Sequence, residues 1–276
     1  FNDWLEQVRE MMHREVDYRL EARTTEKFRQ MLSHDARFVV PRVLPEYSTD
    51  HIIASTYEHG HSVSSVAVRE LPLERRSALG QAALELFFRE LFEWGEIQTD
   101  PNFGNYRIRI AGEQGGDSET DRIVLLDFGA VQSYSSDFLQ PVIQMIRASY
   151  EEDLEQVVEG GIKLRFMSRD WPAEVLDKFG KVCMSVLEPL AKDRSQWPDY
   201  AVNSHGQYRW KQSDLPSRVA KQAARSAISR YFRVPPKEFV FLNRKLIGVY
   251  TFIAVLHSEF NGEDLLRKYL YGDAGV

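Results

Sequence analysis

The sequence predicts an α+β fold, with a partial, small sheet-bearing part and a larger, mainly helical part. Three observations carry this. Residues 1–33 hold apolar side chains at Phe1, Trp4, Leu5, Val8, Met11, Met12 and Val16, the 3.6-residue stripe of amphipathic helix. Four short apolar runs, at 37–43, 51–57, 106–110 and 122–126, are bounded by turn residues as strands are. Beyond Ser135 the pattern is helical to the end. With 276 residues and 43% hydrophobic content, the chain is long enough to bury a large core.

In chain order, Ser33, His34 and Asp35 should stop the first helical segment. Residues 37–43, broken at Pro41, and residues 51–57 then read as two strands joined by a turn at 46–50. A long helix is expected over residues 73–94, closed by Gly95 as a C′ glycine. Residues 98–105 read as a loop between it and strands 106–110 and 122–126, which are joined by a polar connection at 112–121. Breaks in the later helices are expected at Gly160-Gly161, Trp171-Pro172, Trp197-Pro198 and Val234-Pro235-Pro236.

The chemistry concentrates in two stretches, Gln98-Thr99-Asp100-Pro101-Asn102-Phe103-Gly104-Asn105 and Leu125-Leu126-Asp127-Phe128-Gly129. An Asp, an Asn five residues on, and an Asp-Phe-Gly at the end of a strand stand in the order of a protein-kinase-like phosphate site. In such a site Asp100 is the catalytic base or hydroxyl-orienting group. Asn105 and Asp127 offer a neutral and a charged oxygen to Mg²⁺, with ATP phosphates completing its shell. Taken singly, each has a bland reading as a turn or helix-end residue; the combination points to nucleotide phosphate chemistry. On a helix Asp17 and Glu21 would share a face, a like-charge pair costing roughly 0.2–0.5 kcal/mol unless Arg14, Arg19 and Arg23 offset it.

Gln98-Thr99-Asp100 stands where ordinary protein kinases carry His-Arg-Asp. Together with Leu125-Leu126-Asp127-Phe128-Gly129-Ala130 and the helix motif Glu15-Val16-Asp17-Tyr18-Arg19-Leu20-Glu21-Ala22, it resembles the UbiB, or AarF-domain, kinase-like family, in its branch tied to ubiquinone biosynthesis. Pro235-Pro236-Lys237-Glu238 and Asn243-Arg244-Lys245-Leu246 are similar to a late segment of that family. The resemblance implies a protein-kinase-like fold, with residues 1–60 as the rear of a small lobe and 61–276 as a helical large lobe. It implies that Glu21 is the αC glutamate, that Glu15 and Asp17 face the active site, and that Tyr57, Glu58 and His59 form the hinge. It implies ATP and Mg²⁺ as cofactors and an atypical ATPase or small-molecule phosphotransferase supporting ubiquinone biosynthesis. The implied partners are a lipid or quinone precursor, other ubiquinone-biosynthesis proteins and a membrane touched peripherally. The compartment is the bacterial cytoplasm or the mitochondrial matrix side. The alternatives are a non-catalytic kinase-like scaffold and a small-molecule kinase of the aminoglycoside or choline type.

No lysine precedes Lys27 and no glycine precedes Gly60, so the strand lysine that Glu21 should hold and the phosphate-covering loop are expected to lie outside this sequence, leaving it a poor nucleotide binder alone. No Ala-Pro-Glu follows Asp127-Phe128-Gly129, which argues against ordinary protein substrates. A net charge of −6 implies no strongly basic face by composition, which argues against nucleic acid as a partner and leaves a local basic patch open. The single cysteine, Cys183, reads as a small buried hydrophobe, and no apolar run reaches the roughly 18 residues of a membrane span. His59 and His61 lack metal spacing. Arg218, Lys221, Arg225 and Arg230 could form a solvated or lipid-facing basic face, and Trp197, Tyr200, Tyr208 and Trp210 could cap the core or cover a lipid pocket.

Overall fold

The computed structural model describes residues 17–113, 119–227, 231 and 233–272. The expectations placed on residues 1–16, Glu15 among them, lie outside the described residues. The chain forms two compact units. One takes in the described residues up to Arg75 with Gln98–Gln132, and the other Arg76–Ile97 with the described residues from Ser133 onward.

The first unit is α+β. Its helix α1 (Tyr18–Met31) opens at Asp17, whose carboxylate accepts from the Leu20 N–H at 2.9 Å. Asp17 is therefore an N-cap, corrected from the helix-interior position expected for it. A carboxylate at that end satisfies an orphan N–H and meets the positive end of the helix dipole, which offsets the like-charge cost against Glu21. Arg19 pairs with Asp50. The helix ends at Leu32, and Phe28 and Leu32 bury its apolar face.

Strand β4 (Arg122–Leu125) is the centre of a three-stranded sheet, flanked by β1 (Phe38–Val39) in parallel and β3 (Tyr106–Arg109) antiparallel. Tyr106 faces Leu125 and Arg109 faces Arg122 across the ladder. The central place explains the continuous run Ile123-Val124-Leu125, buried on both faces. The strands expected over 37–43 and 51–57 shrink to β1 and a single bridge between Val43 and Ser55. Pro41 has no N–H for a ladder, so the two segments hold together by scattered bonds such as Leu44 N–H to Ala54 C=O at 2.8 Å.

The second unit is helical. Its helix α3, after the one-turn α2 (Val66–Arg69) of the first unit, runs Leu73–Phe88, loosens into a π-turn over Arg89–Trp94, and stops at Gly95 with φ +64°. Then follow α4 (Ser136–Tyr150), α5 (Leu154–Lys163), α6 (Ala173–Ser185), α7 (Leu215–Ala227), α8 (Lys237–Val255) and α9 (Glu263–Tyr271). Pro172 and Pro236 cap α6 and α8, as their sequence positions predict. Gly160 and Gly161 do not break α5. A Cβ on Gly160 would fall 2.2 Å from Met145 Cγ and one on Gly161 2.7 Å from Met167 Sδ, so these glycines admit close packing inside the helix. Trp197, Tyr208 and Trp210 are core residues and only Tyr200 is exposed, so these rings do not form one cover. Arg218 is taken up by Glu188 at 2.6 Å rather than left on a basic face. No helix among the described residues is long and apolar enough to cross a membrane.

Candidate phosphate and metal site

Every described residue of the expected catalytic set lies in the first unit. Strand β2 (Glu96–Gln98) delivers Gln98 and Thr99, both 5% exposed, directly before Asp100. Thr99 is pinned twice to the Ala130 carbonyl, by its N–H at 3.1 Å and its hydroxyl at 2.8 Å. Gln98 spans the gap between the two motifs. Its Oε1 accepts from the Asp100 N–H at 2.7 Å and its Nε2 donates to the Asp127 carbonyl at 3.2 Å.

Asn102 then caps a short 3₁₀ turn, Phe103–Asn105, by accepting from the Gly104 N–H at 2.9 Å. The turn brings Asn105 back so that its Nδ2 donates to Asp100 Oδ2 at 2.9 Å, and its carbonyl accepts from the Leu126 N–H at 2.9 Å. Asn105 is thereby tied both to Asp100 and to the end of β4 that presents Asp127. The Asp127 carboxylate turns onto the Gly129 N–H at 2.8 Å. Phe128 is buried and packs on Phe28 of α1, ring centroids 4.9 Å apart.

That contact sets Glu21, seven residues before Phe28, beside the Asp-Phe-Gly turn. A Cβ placed on Gly129 would lie 3.5 Å from Glu21 Oε2 and 3.4 Å from Asp127 Oδ1, so the two carboxylates flank one glycine. Burial, and then the charge of Asp127, raise the Glu21 pKa above its ordinary value of 4.5. Two half-buried carboxylates that repel each other are the donor set a hard divalent cation relieves, and the neighbouring Asn105 adds an amide oxygen of the kind Mg²⁺ accepts. The residues present fit that ion. His, Cys, Asp and Glu alone do not supply it, since no group of three or more of them is placed to hold a metal among the described residues.

The expected hinge residues are placed differently from one another. Tyr57 is 80% exposed and stacks edge-on to His59. Glu58 is held by Arg109 Nη2 at 2.7 Å and by the Thr56 hydroxyl at 2.8 Å. His61 bridges to Ile108 through its backbone, while its ring meets Glu113 at 2.6 Å. Arg109 and Gln98 are the site residues to which sequence reasoning gave no role, although Gln98 stood in the quoted motif. The Gln in place of the usual His was the signal for one; for Arg109, 51 residues from its partner, alternation along β3 was the only hint.

A family model for the ABC1 atypical kinase-like domain matches residues 1–160. The chain belongs to the ABC1 atypical kinase-like family. It is similar to the probable serine/threonine-protein kinase abkA of Dictyostelium discoideum, at 28% identity over 96% of this chain and 46% of that protein. It is also similar to the mitochondrial atypical kinases coq-8 of Caenorhabditis elegans, at 27% over 98% of this chain and 34% of that protein, and COQ8B of Rattus norvegicus, at 27% over 92% and 44%. The chain thus spans a third to about half the length of these relatives. Among solved structures, the complex of Rv3197 with erythromycin from Mycobacterium tuberculosis superposes with a TM-score of 0.64, covering 98% of this chain and 62% of that one at 18% identity. The ABC1 chain therefore has the kinase-like α+β fold, and the resemblance to UbiB proteins holds at family level.

Proposed function

We propose that this ABC1-family chain carries the metal-holding and hydroxyl-orienting part of an ATP- and Mg²⁺-dependent atypical kinase-like ATPase or small-molecule phosphotransferase. The observation that carries the reading is the linkage of Asp100, Asn105 and Asp127 through three short hydrogen-bonded steps: Asn105 to Asp100, Gln98 to both Asp100 and Asp127, and β4 to Asn105. In this reading Asp127 and Asn105 hold Mg²⁺, with Glu21 beside them. The ion they would hold would supply neutralisation of charge on the nucleotide phosphates. Asp100, its carboxylate aligned by the Asn105 amide, accepts the hydrogen bond of the attacking hydroxyl or water and takes up its proton. Tyr57, Glu58 and His59 remain the proposed hinge, their backbone beside the adenine edge.

The UbiB likeness of the two motifs further supports a role in ubiquinone biosynthesis. A lipid or quinone precursor and other proteins of that synthesis are the proposed partners. The proposed setting is a membrane surface, on the mitochondrial matrix side or in the bacterial cytoplasm. Asp127→Asn in the protein should abolish Mg²⁺-dependent ATP binding and turnover with the fold unaltered, because it removes the charged ligand at nearly constant volume. Calorimetric titration with ATP in the presence and absence of Mg²⁺, alongside an ATPase assay, reads both. Unchanged Mg²⁺-stimulated binding and turnover in the variant would overturn the assignment and leave the scaffold reading.

A further inference from the structure

The second unit contains an apolar cavity of about 230 Å³, walled by α3 and its π-turn, α4, α6 and α8. Eighteen of its twenty-one lining residues are apolar, with Phe88, Met145, Phe179 and Leu242 among them. An engineered apolar cavity of about 150 Å³ already binds benzene, so this one has room for more than a single ring. The three polar residues on the lining are Ser149, Arg233 and Asn243. Ser149 spends its hydroxyl on the Met145 carbonyl inside α4 at 2.8 Å. Arg233 and Asn243 are exposed, which puts the polar groups at the solvent side and hydrocarbon inside.

Arg233 stacks on Trp171, its guanidinium carbon 5.5 Å from the ring centroid, and has no carboxylate partner among the described residues. The stacking leaves the edge of the guanidinium for an anion. Val234 beside it is 79% exposed, so an apolar side chain flanks that cation at the surface. Cys183 lines the cavity, and burial pushes its thiol up to about 12.

We propose that this cavity binds a single-chain amphiphile with an anionic head, the chain inside and the head on Arg233. The site stands on residues of the helical unit alone and does not depend on the phosphate-site reading. Its volume favours one medium-length chain over a two-chain lipid, and Arg233 favours a carboxylate or phosphate over a cation.

The probe is decanoate, titrated calorimetrically into the protein at monomeric concentrations, against decyltrimethylammonium, which has the same chain and the opposite head. Decanoate should bind one to one and about tenfold or more tighter than the cation, the order of one charge-assisted contact. Arg233→Glu, at an exposed position that keeps the fold, should remove or reverse that preference. Saturating decanoate should also slow alkylation of Cys183 by N-ethylmaleimide. Absence of saturable binding, equal binding of the two heads, indifference to Arg233→Glu, or unaltered Cys183 alkylation would each overturn the proposal.

Discussion

Replacing Lys245 by methionine should cost the helical unit about 3–5 kcal/mol, the range for removing one partner of a buried ion pair. Lys245 of α8 and Glu90 of the π-turn are 5% and 1% exposed at their side chains, with Nζ 2.9 Å from Oε2 and a hydrogen bond to Oε1 at 3.3 Å. Methionine keeps most of the lysine's volume, so the loss is electrostatic rather than a cavity. It is the cost of a carboxylate left in the core without its ammonium. The neighbouring Tyr134 feels that carboxylate already, its hydroxyl held above the usual tyrosine range by burial and by the charges of Glu238 and Glu90. At about 1.4 kcal/mol per tenfold, the folded-to-unfolded ratio of the unit should fall by at least a hundredfold. With a urea slope of about 1–3 kcal/mol/M, the midpoint should drop by roughly 1 M or more. Four of the five tryptophans, Trp94, Trp171, Trp197 and Trp210, belong to this unit, so tryptophan fluorescence is dominated by its unfolding. The double variant Glu90→Leu, Lys245→Met should recover most of the loss, because it removes both charges. A single variant that loses less than about 1 kcal/mol, or a double variant no better than the single, would refute the uncompensated-charge argument.

Glu21→Gln should stabilise the first unit at neutral pH. The carboxylate's raised pKa means that its ionised form is disfavoured in the fold, so a penalty sets in as pH climbs through that raised value and fades towards and below 4.5. Thermal melts should therefore show the variant ahead of the parent at pH 7 and level with it near pH 4. Mg²⁺ should raise the parent's melting point more than the variant's, and a gap that does not change with pH would exclude the repelling pair. Gly160→Ala should destabilise the helical unit by about 1–2 kcal/mol in urea, since forcing Met145 aside outweighs the gain of roughly 1 kcal/mol in helix propensity. A neutral or stabilising result there would show that Met145 moves freely.

Legibility in the sequence followed the range over which each feature is decided. The helix from Leu73 with its glycine stop, the pairing partners β3 and β4, and the prolines opening α6 and α8 are set by local pattern and turn chemistry, and they stand where those predict. Gly160-Gly161 misled because a glycine pair reads as a break unless one knows that Met145 and Met167 press against it from other segments. Asp17 misled by one step of helix geometry: a stripe that begins at residue 1 hides the fact that a cap resets it. The strand pair 37–43 and 51–57 failed for the reverse reason, since Pro41 was visible but its cost to a ladder was set too low. Within the site, Asp100, Asn105 and Asp127 were legible as a spacing, whereas the closeness of Glu21 to Asp127 depends on the Phe28–Phe128 contact, 100 residues apart.

The Gln98-Thr99 pair gives the departure from His-Arg-Asp a physical sense. Joining the loop that carries Asp100 to the turn that carries Asp127 requires one acceptor for the Asp100 N–H and one donor for the Asp127 carbonyl, at a place 5% exposed. A primary amide supplies both from one planar group at any pH, whereas an imidazole does so only while neutral, a carboxylate lacks the donor and an ammonium or guanidinium lacks the acceptor. A cation buried there would also sit against Asp127 and compete with the metal for its charge. Thr99 adds a third tie, hydroxyl and N–H together on the Ala130 carbonyl, and so fixes the residue just beyond Asp-Phe-Gly to the residue just before Asp100. The two loops are then held by neutral hydrogen bonds from behind. In the proposed function it is the carboxylates of Glu21, Asp100 and Asp127, on the other side of these ties, that would meet the cation and the phosphates.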